Sequence, residues 1–190
     1  NESLEHAAYS LGYKARIKYI QAENLDVESL KEYQGILVPG GFGNRGVEGK
    51  IAAIKYAREN KIPFLGICLG MQLAVVEFAR NVLGYTDANS SELDENTTHP
   101  VIHIMEDQKY IEKMGGTMRL GAYPCILGDG TLAKELYESK EISERHRHRY
   151  EYNNIYREEL EKAGLKVSGT SPDNTLVEIV ELPREVHPFY

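Results

Sequence analysis

Pro63-Phe64-Leu65-Gly66-Ile67-Cys68-Leu69-Gly70-Met71-Gln72 decides the fold. An apolar run breaks on a Gly-x-Cys-x-Gly turn, and Leu73 to Val82 then follows a helical period. The run reads as a strand buried on both faces, because it is apolar throughout instead of alternating. The glycines permit a sharp strand-to-helix turn that would push the Cys68 sulfur out at the strand's end, as in a nucleophile elbow with Cys in place of Ser. The following helix N-terminus is expected to favour the thiolate and lower its pKa. The competing reading is a buried cysteine acting as a small hydrophobe. The spacing of the glycines favours the nucleophile.

Upstream, Gly35-Ile36-Leu37-Val38 is a second continuous apolar run, closed by Pro39-Gly40-Gly41-Phe42-Gly43. Between the two runs, residues 48–59 read as a helix with Ile51, Ile54 and Ala57 inward and Ala53 beside them. Strand, helix, strand, helix at these lengths implies an α/β fold with parallel crossover units, whose ligands sit beyond the carboxyl ends of the strands. Both glycine-rich turns fall there. The first exposes N–H groups that could hold an oxyanion, or it is simply a tight turn. Further out, residues 2–11 and 25–32 read as helices and 15–20 as a half-exposed strand. Residues 90–98 read as a polar loop. In the second half, 117–127, 143–152, 165–170 and 175–182 read as strands, and 131–137 and 154–163 as helices.

The chain has 190 residues, 42% hydrophobic and 27% charged, enough apolar content to exclude a disordered protein. No run of about 18 apolar residues offers a membrane span. A formal net charge of −7 argues against nucleic acid as a partner. Two cysteines, Cys68 and Cys125, make no disulfide framework, so a reducing cytoplasmic location is the simpler reading. Cys125 has no elbow and reads as packing. In Arg145-His146-Arg147-His148-Arg149, strand alternation places His146, His148 and Tyr150 on one face and the three arginines on the other. Two alternate histidines lack an obvious third metal ligand, so no metal site is assigned and an anion or substrate clamp is the better reading. His6, His99 and His103 have no partner evident from sequence.

With these residues in view, the sequence resembles the class I glutamine amidotransferases, on Pro39-Gly40-Gly41 and on Gly66 to Gln72. More narrowly, it is similar to the amidotransferase domain of the CTP synthase family. That likeness rests on Val38 to Lys50, Ala88 to Glu92, Met114 to Gly121 and Glu144 to Glu151. The resemblance implies the class I amidotransferase, flavodoxin-like α/β fold: a mostly parallel central sheet flanked by helices, with additional strands in the second half. It implies that Cys68 attacks the side-chain amide of L-glutamine, giving a thioester and ammonia. It places oxyanion N–H groups at Gly41 and Leu69, and glutamine contacts at Gly41, Leu69, Gly70, Met71, Gln72, Glu92 and Arg149. Phe42 and Arg45 are implied near an allosteric GTP site.

It further implies that ammonia passes to a synthetase domain of the same chain, where ATP and Mg2+ serve the amination of UTP to CTP. The amidotransferase part itself needs no cofactor. The family assembles as a homo-oligomer, a tetramer, through that other domain, with neither nucleic acid nor membrane as partner. On this reading residues 1–190 are an amidotransferase domain cut at both ends. The family's catalytic His and Glu, in a His-Pro-Glu motif, are expected beyond Tyr190, and His187 is not the base. The 190 residues alone are therefore expected to turn glutamine over negligibly. Two alternatives stand beside this: an amidotransferase serving another acceptor, and a non-catalytic glutamine-binding or regulatory domain.

Overall fold

The computed structural model describes residues 1–104 and 118–188. Residues 114–117 of the Met114 stretch, the first residue of the strand expected at 117–127, and Phe189 and Tyr190 lie outside the described residues. Strand β1 (Ile36–Val38) pairs in parallel with β2 (Phe64–Gly66), Leu37 opposite Leu65 and Val38 opposite Gly66. Helix α2 (Val47–Asn60) connects them and buries Ile51, Ala53, Ile54 and Ala57, the expected set. It starts after Gly46 at φ 66° and stops at Lys61 at φ 55°. Helix α3 (Leu69–Phe78) follows β2 and continues through a π-helical turn, Ala79–Leu83. Nine of the ten α3 residues are buried, so it is an interior helix that strands and helices cover on every side. Its one buried acid, Glu77, receives both Nε and Nη2 of Arg58 from α2, at 2.8 Å each. A buried carboxylate needs such a partner, and here the ion pair fastens α2 to α3.

Strand β3 (Asn89–Ser90) runs parallel to β4 (Pro100–Ile104), which pairs antiparallel with β7 (Tyr150–Tyr152). A four-stranded antiparallel sheet has the order β6 (Glu141–His148), β5 (Arg119–Leu127), β8 (Lys166–Thr170), β9 (Val177–Glu181). The parallel character expected of the central sheet thus resides in β1–β2 and β3–β4. The second-half strands are antiparallel additions, and the described sheets are mixed. The short helices α4 (Leu132–Tyr137) and α5 (Arg157–Lys162) pack on β8. The main core joins α2, α3, β1, β2, β4, α5 and β9, while Cys125, Leu127 and Ala133 form a smaller cluster.

Two expectations fail. Residues 15–20 form no strand, since alternation without a neighbouring ladder leaves backbone groups to water. The chain expected as one strand over 143–152 is two strands in different sheets, broken at Arg149. Strand β4 was not anticipated, because His99-Pro100 and His103 interrupt its apolar run. Helix α1 (Glu2–Ser10) forms as expected but buries none of its residues.

The turn after β2 depends on close backbone approach. A Cβ on Gly70 would lie 2.0 Å from the Val38 carbonyl oxygen, and one on Gly66 would lie 2.7 Å from the Gly70 carbonyl carbon. Gly70→Ala should therefore push α3 off β1 and cost roughly 1–3 kcal/mol or more. Urea unfolding measures this, and an unchanged midpoint would show that the turn has slack.

Candidate active site

Cys68 stands between β2 and α3 with φ 53° and ψ −106°, a left-handed backbone that non-glycine residues adopt at a cost of about 1–3 kcal/mol. The turn Gly40-Gly41 lies alongside. A Cβ on Gly40 would be 3.4 Å from Cys68 Cβ, and one on Gly41 3.5 Å from Leu69 Cδ2. The two glycine turns expected to share the strands' carboxyl ends thus meet at the sulfur.

A cavity of about 300 Å³ opens there, lined by Gly41, Phe42, Cys68, Gln72, Glu92, Met118, His148, Arg149 and Tyr150. Of the residues expected at the glutamine site, Gly41, Cys68, Gln72, Glu92 and Arg149 are brought together, and Phe42, expected near an allosteric GTP site, lines the same cavity. Leu69 and Gly70 are buried behind the sulfur, and Met71 packs against the core. Arg45 is outside the cavity, exposed and paired with Glu23. Arg149 reaches the cavity because the strand breaks beside it. The Arg147 guanidinium lies 5.9 Å from the Phe42 ring centroid, at the cavity's rim.

The loop that carries Glu92 is held at several points. Asp87 accepts from the Thr98 N–H at 2.7 Å and its hydroxyl at 2.6 Å, and it pairs with His99 Nδ1 at 2.6 Å. Those bonds keep the Asp87 carboxyl far below the usual carboxylate range. Inside the loop, Ser91 Oγ bonds His103 Nδ1 at 2.6 Å and Ser90 Oγ accepts from the Glu92 N–H. His99 and His103 therefore have partners that the sequence did not reveal. Gln72 Nε2 donates to the Tyr150 carbonyl at 2.9 Å, fixing α3 to β7.

The electrostatics correct one expectation. Burial pushes the Cys68 thiol up. The Leu69 N–H acts in the opposite direction, and the Glu151 and Glu92 carboxylates add to the rise. The helix N-terminus contributes one favourable N–H but does not outweigh a half-buried position between two acids. Burial also raises the Glu92 carboxyl, partly offset by the Arg149 charge. Behind the wall formed by His148 and Arg149 lies a charged cluster that sequence reasoning missed. Arg119 donates to Glu178 at 2.7 Å and to Glu151 at 3.3 Å. His146 Nδ1 and His148 Nε2 are 2.9 Å apart, and His148 Nδ1 donates to the Tyr150 carbonyl. The signal available was an Arg and a Glu at inward positions of β5 and β9. His187 is buried with Nε2 on the Ile62 carbonyl, at the opposite end of β2 from Cys68.

The whole chain fits this arrangement to a known family. The family model for glutamine amidotransferase class-I matches residues 1–189. The chain belongs to the class I glutamine amidotransferases. A CTP synthase of Clostridium beijerinckii is 60% identical over 193 residues, which take in all of this amidotransferase chain and 36% of the relative. A Fibrobacter succinogenes CTP synthase is also 60% identical, with 34% of its length covered. The amidotransferase thus spans about a third of the length of the curated relatives it matches. Among solved structures, a Trypanosoma brucei CTPS glutaminase domain with bound acivicin superposes with TM-score 0.92 at 42% identity, covering all of this chain and 75% of that one. A Thermotoga maritima glutamine amidotransferase, 15% identical with TM-score 0.58, shares the fold.

The two cysteines should differ sharply. Cys125 is 1% exposed and its thiol is pushed up to about 12, so it stays protonated and shielded. Alkylation under limiting reagent should label Cys68 roughly tenfold faster or more, with a rate that climbs into the alkaline range because burial raises its thiol. Peptide mapping at several pH values reads this; equal labelling would remove Cys68 from the elbow role.

Proposed function

We propose that this amidotransferase is the glutaminase part of a CTP synthase. It hydrolyses L-glutamine at Cys68 and supplies ammonia to a synthetase segment of the same polypeptide, where ATP with Mg2+ drives amination of UTP. The observation that carries the reading is one cavity joining the Cys68 sulfur, the Gly41 turn, the Glu92 carboxylate and the Arg149 guanidinium. A cavity of about 300 Å³ is at the small end of ligand pockets and suits a single amino acid. Glu92 would take the α-ammonium and Arg149 the α-carboxylate, which a guanidinium grips in a planar fork. Such a grip points the side-chain amide at the sulfur.

In the chemical step, the Cys68 thiolate adds to the amide carbon. The N–H groups of Gly41 and Leu69 receive the developing oxyanion. The Leu69 N–H already acts on the sulfur's charge. The tetrahedral adduct collapses as its nitrogen is protonated and leaves as ammonia, and water then hydrolyses the γ-glutamyl thioester to glutamate. A base must take the thiol proton and return it to nitrogen. His148 lines the cavity, but both its ring nitrogens are committed, to Tyr150 and His146. The reading assigns the base to a His-Pro-Glu motif of the family and not to His148. The Pro188 carbonyl accepts from the Phe64 N–H, beside the end of β2 far from Cys68.

GTP activation is part of the same proposal, with Phe42 and Arg45 as contacts. Phe42 is exposed at the cavity rim, and Arg45 would have to exchange Glu23 for a phosphate. Among the described residues no helix is long and apolar enough to cross a membrane; a cytoplasmic location is part of the proposal. Assembly into a homo-oligomer is proposed through the synthetase segment.

Arg149→Ala in the complete polypeptide should lower kcat/KM for glutamine-driven CTP formation roughly 10- to 100-fold, the loss of a charged hydrogen-bonded pair. Ammonia-driven formation should persist, because free ammonia bypasses the cleft. Equal loss with both nitrogen donors, or glutamine-driven synthesis surviving in Cys68→Ala, would sink the proposal.

A further inference from the structure

The cluster behind the cleft wall contains more hydrogen positions than two neutral imidazoles can fill. His148 Nδ1 faces the Tyr150 carbonyl oxygen at 3.1 Å and Glu151 Oε1 at 3.3 Å. Both are acceptors, so this nitrogen carries a hydrogen. His146 Nε2 is buried, lies 3.4 Å from Glu178 Oε2 outside hydrogen-bond geometry, and has no hydrogen-bond partner among the described residues. A bare lone pair within 3.4 Å of a carboxylate oxygen in a buried site is repulsive even without hydrogen-bond alignment, so a hydrogen on this nitrogen is favoured. The remaining two nitrogens, His146 Nδ1 and His148 Nε2, meet at 2.9 Å and need one hydrogen between them. Three hydrogens occupy four nitrogens, whereas two neutral rings hold two.

We propose that His146 and His148 share one proton beyond the neutral pair, and that this cation, acting through Glu151, is a positioning element that holds down the negative field on Cys68. The charges balance on this assignment. One guanidinium, Arg119, faces two carboxylates, Glu151 and Glu178, and the extra proton neutralises what is left. The groups facing the pair are Arg119 and the Tyr123 ring from β5, Glu151 from β7 and Glu178 from β9. Burial opposes charge on both rings, but the Glu151 carboxylate overcomes it at His148, whose pKa is raised, while burial lowers that of His146. The proton therefore resides mainly on His148, the ring that lines the cavity. Glu151 is one of the two carboxylates that push the Cys68 thiol up. Losing the cation leaves that carboxylate with Arg119 alone, shared with Glu178.

The inference rests on reading Cys68 as the reactive thiol, but its test uses no glutamine, so its failure is distinguishable from failure of the glutaminase reading. Long-range proton–nitrogen spectra of the unsubstituted protein report ring protonation directly. Near neutral pH they should show one imidazolium, centred on His148 with His146 hydrogen-bonded to it; two neutral rings would overturn the assignment. The second measurement is the pH profile of Cys68 alkylation by iodoacetamide in His148→Asn, which keeps a donor near Nδ1 and removes the charge. Its midpoint should rise by roughly half to one pH unit. The rate below the midpoint should fall about two- to threefold, since a more basic thiolate is also more nucleophilic. Glu151→Gln should move the midpoint the other way. Coincident profiles for the three proteins would overturn the coupling to Cys68, whatever the protonation of the rings.

Discussion

Everything at the site depends on how closely α3 approaches β1 and β2. The Val38 carbonyl oxygen lies where a Cβ of residue 70 would be, and the Gly70 backbone lies where a Cβ of residue 66 would be. Two glycines four residues apart therefore let an interior helix start directly at the end of a buried strand. The residue between them has no room to turn gradually and takes φ 53°. Nine buried residues in α3 and the Arg58–Glu77 pair hold the helix against that strain. The reactive group is thus set by packing far from the sulfur, which is how a strained backbone persists.

That position has an electrostatic cost. A half-buried sulfur loses hydration, and two carboxylates add to the penalty. On the proposed reading Glu92 receives an amino acid's ammonium, and its effect on the sulfur would then diminish when that cation arrives. Glu151 has no such visitor, because it is buried and already held by Arg119 and His148. The two acids next to Cys68 thus differ in kind. One is a free valence of the cleft, and the other belongs to a closed network joining β5, β6, β7 and β9.

What the sequence disclosed follows from this difference between local and long-range causes. The elbow was legible because glycine spacing and an apolar run are properties of ten consecutive residues, and so was the inward face of α2. Arg149 and Glu92, which line the cavity, were singled out only through the family resemblance. Composition alone would have left Glu92 a solvated loop carboxylate. The break at Arg149 was hidden because Arg145 to Glu151 alternates without interruption; only the pairing of Tyr150 to Tyr152 with β4 ends β6 at His148. The lowered thiol pKa expected from the helix N-terminus failed for the same reason. The opposing carboxylates come from residues 24 and 83 positions away in sequence.

The strand break also determines how selective the cleft can be. Arg149 sits between two strands of different sheets, with the His148 backbone fixed by β5 and the Tyr150 backbone by β4. Its guanidinium is therefore carried by a backbone tied on both sides. Glu92, opposite, is carried by a loop closed by Asp87 and pinned by Ser90 and by Ser91 with His103. On the proposed reading, a carboxylate and a guanidinium held apart in this way would select for the two charged groups of an α-amino acid. A flexible pair would close on any zwitterion or on each other. Holding them apart leaves Glu92 and Arg149 without a direct ion pair among the described contacts, so both charges remain for a ligand to satisfy. Specificity for the side chain is then left to the depth of the cavity at Cys68 and the Gly41 turn, where only a group reaching the sulfur can react.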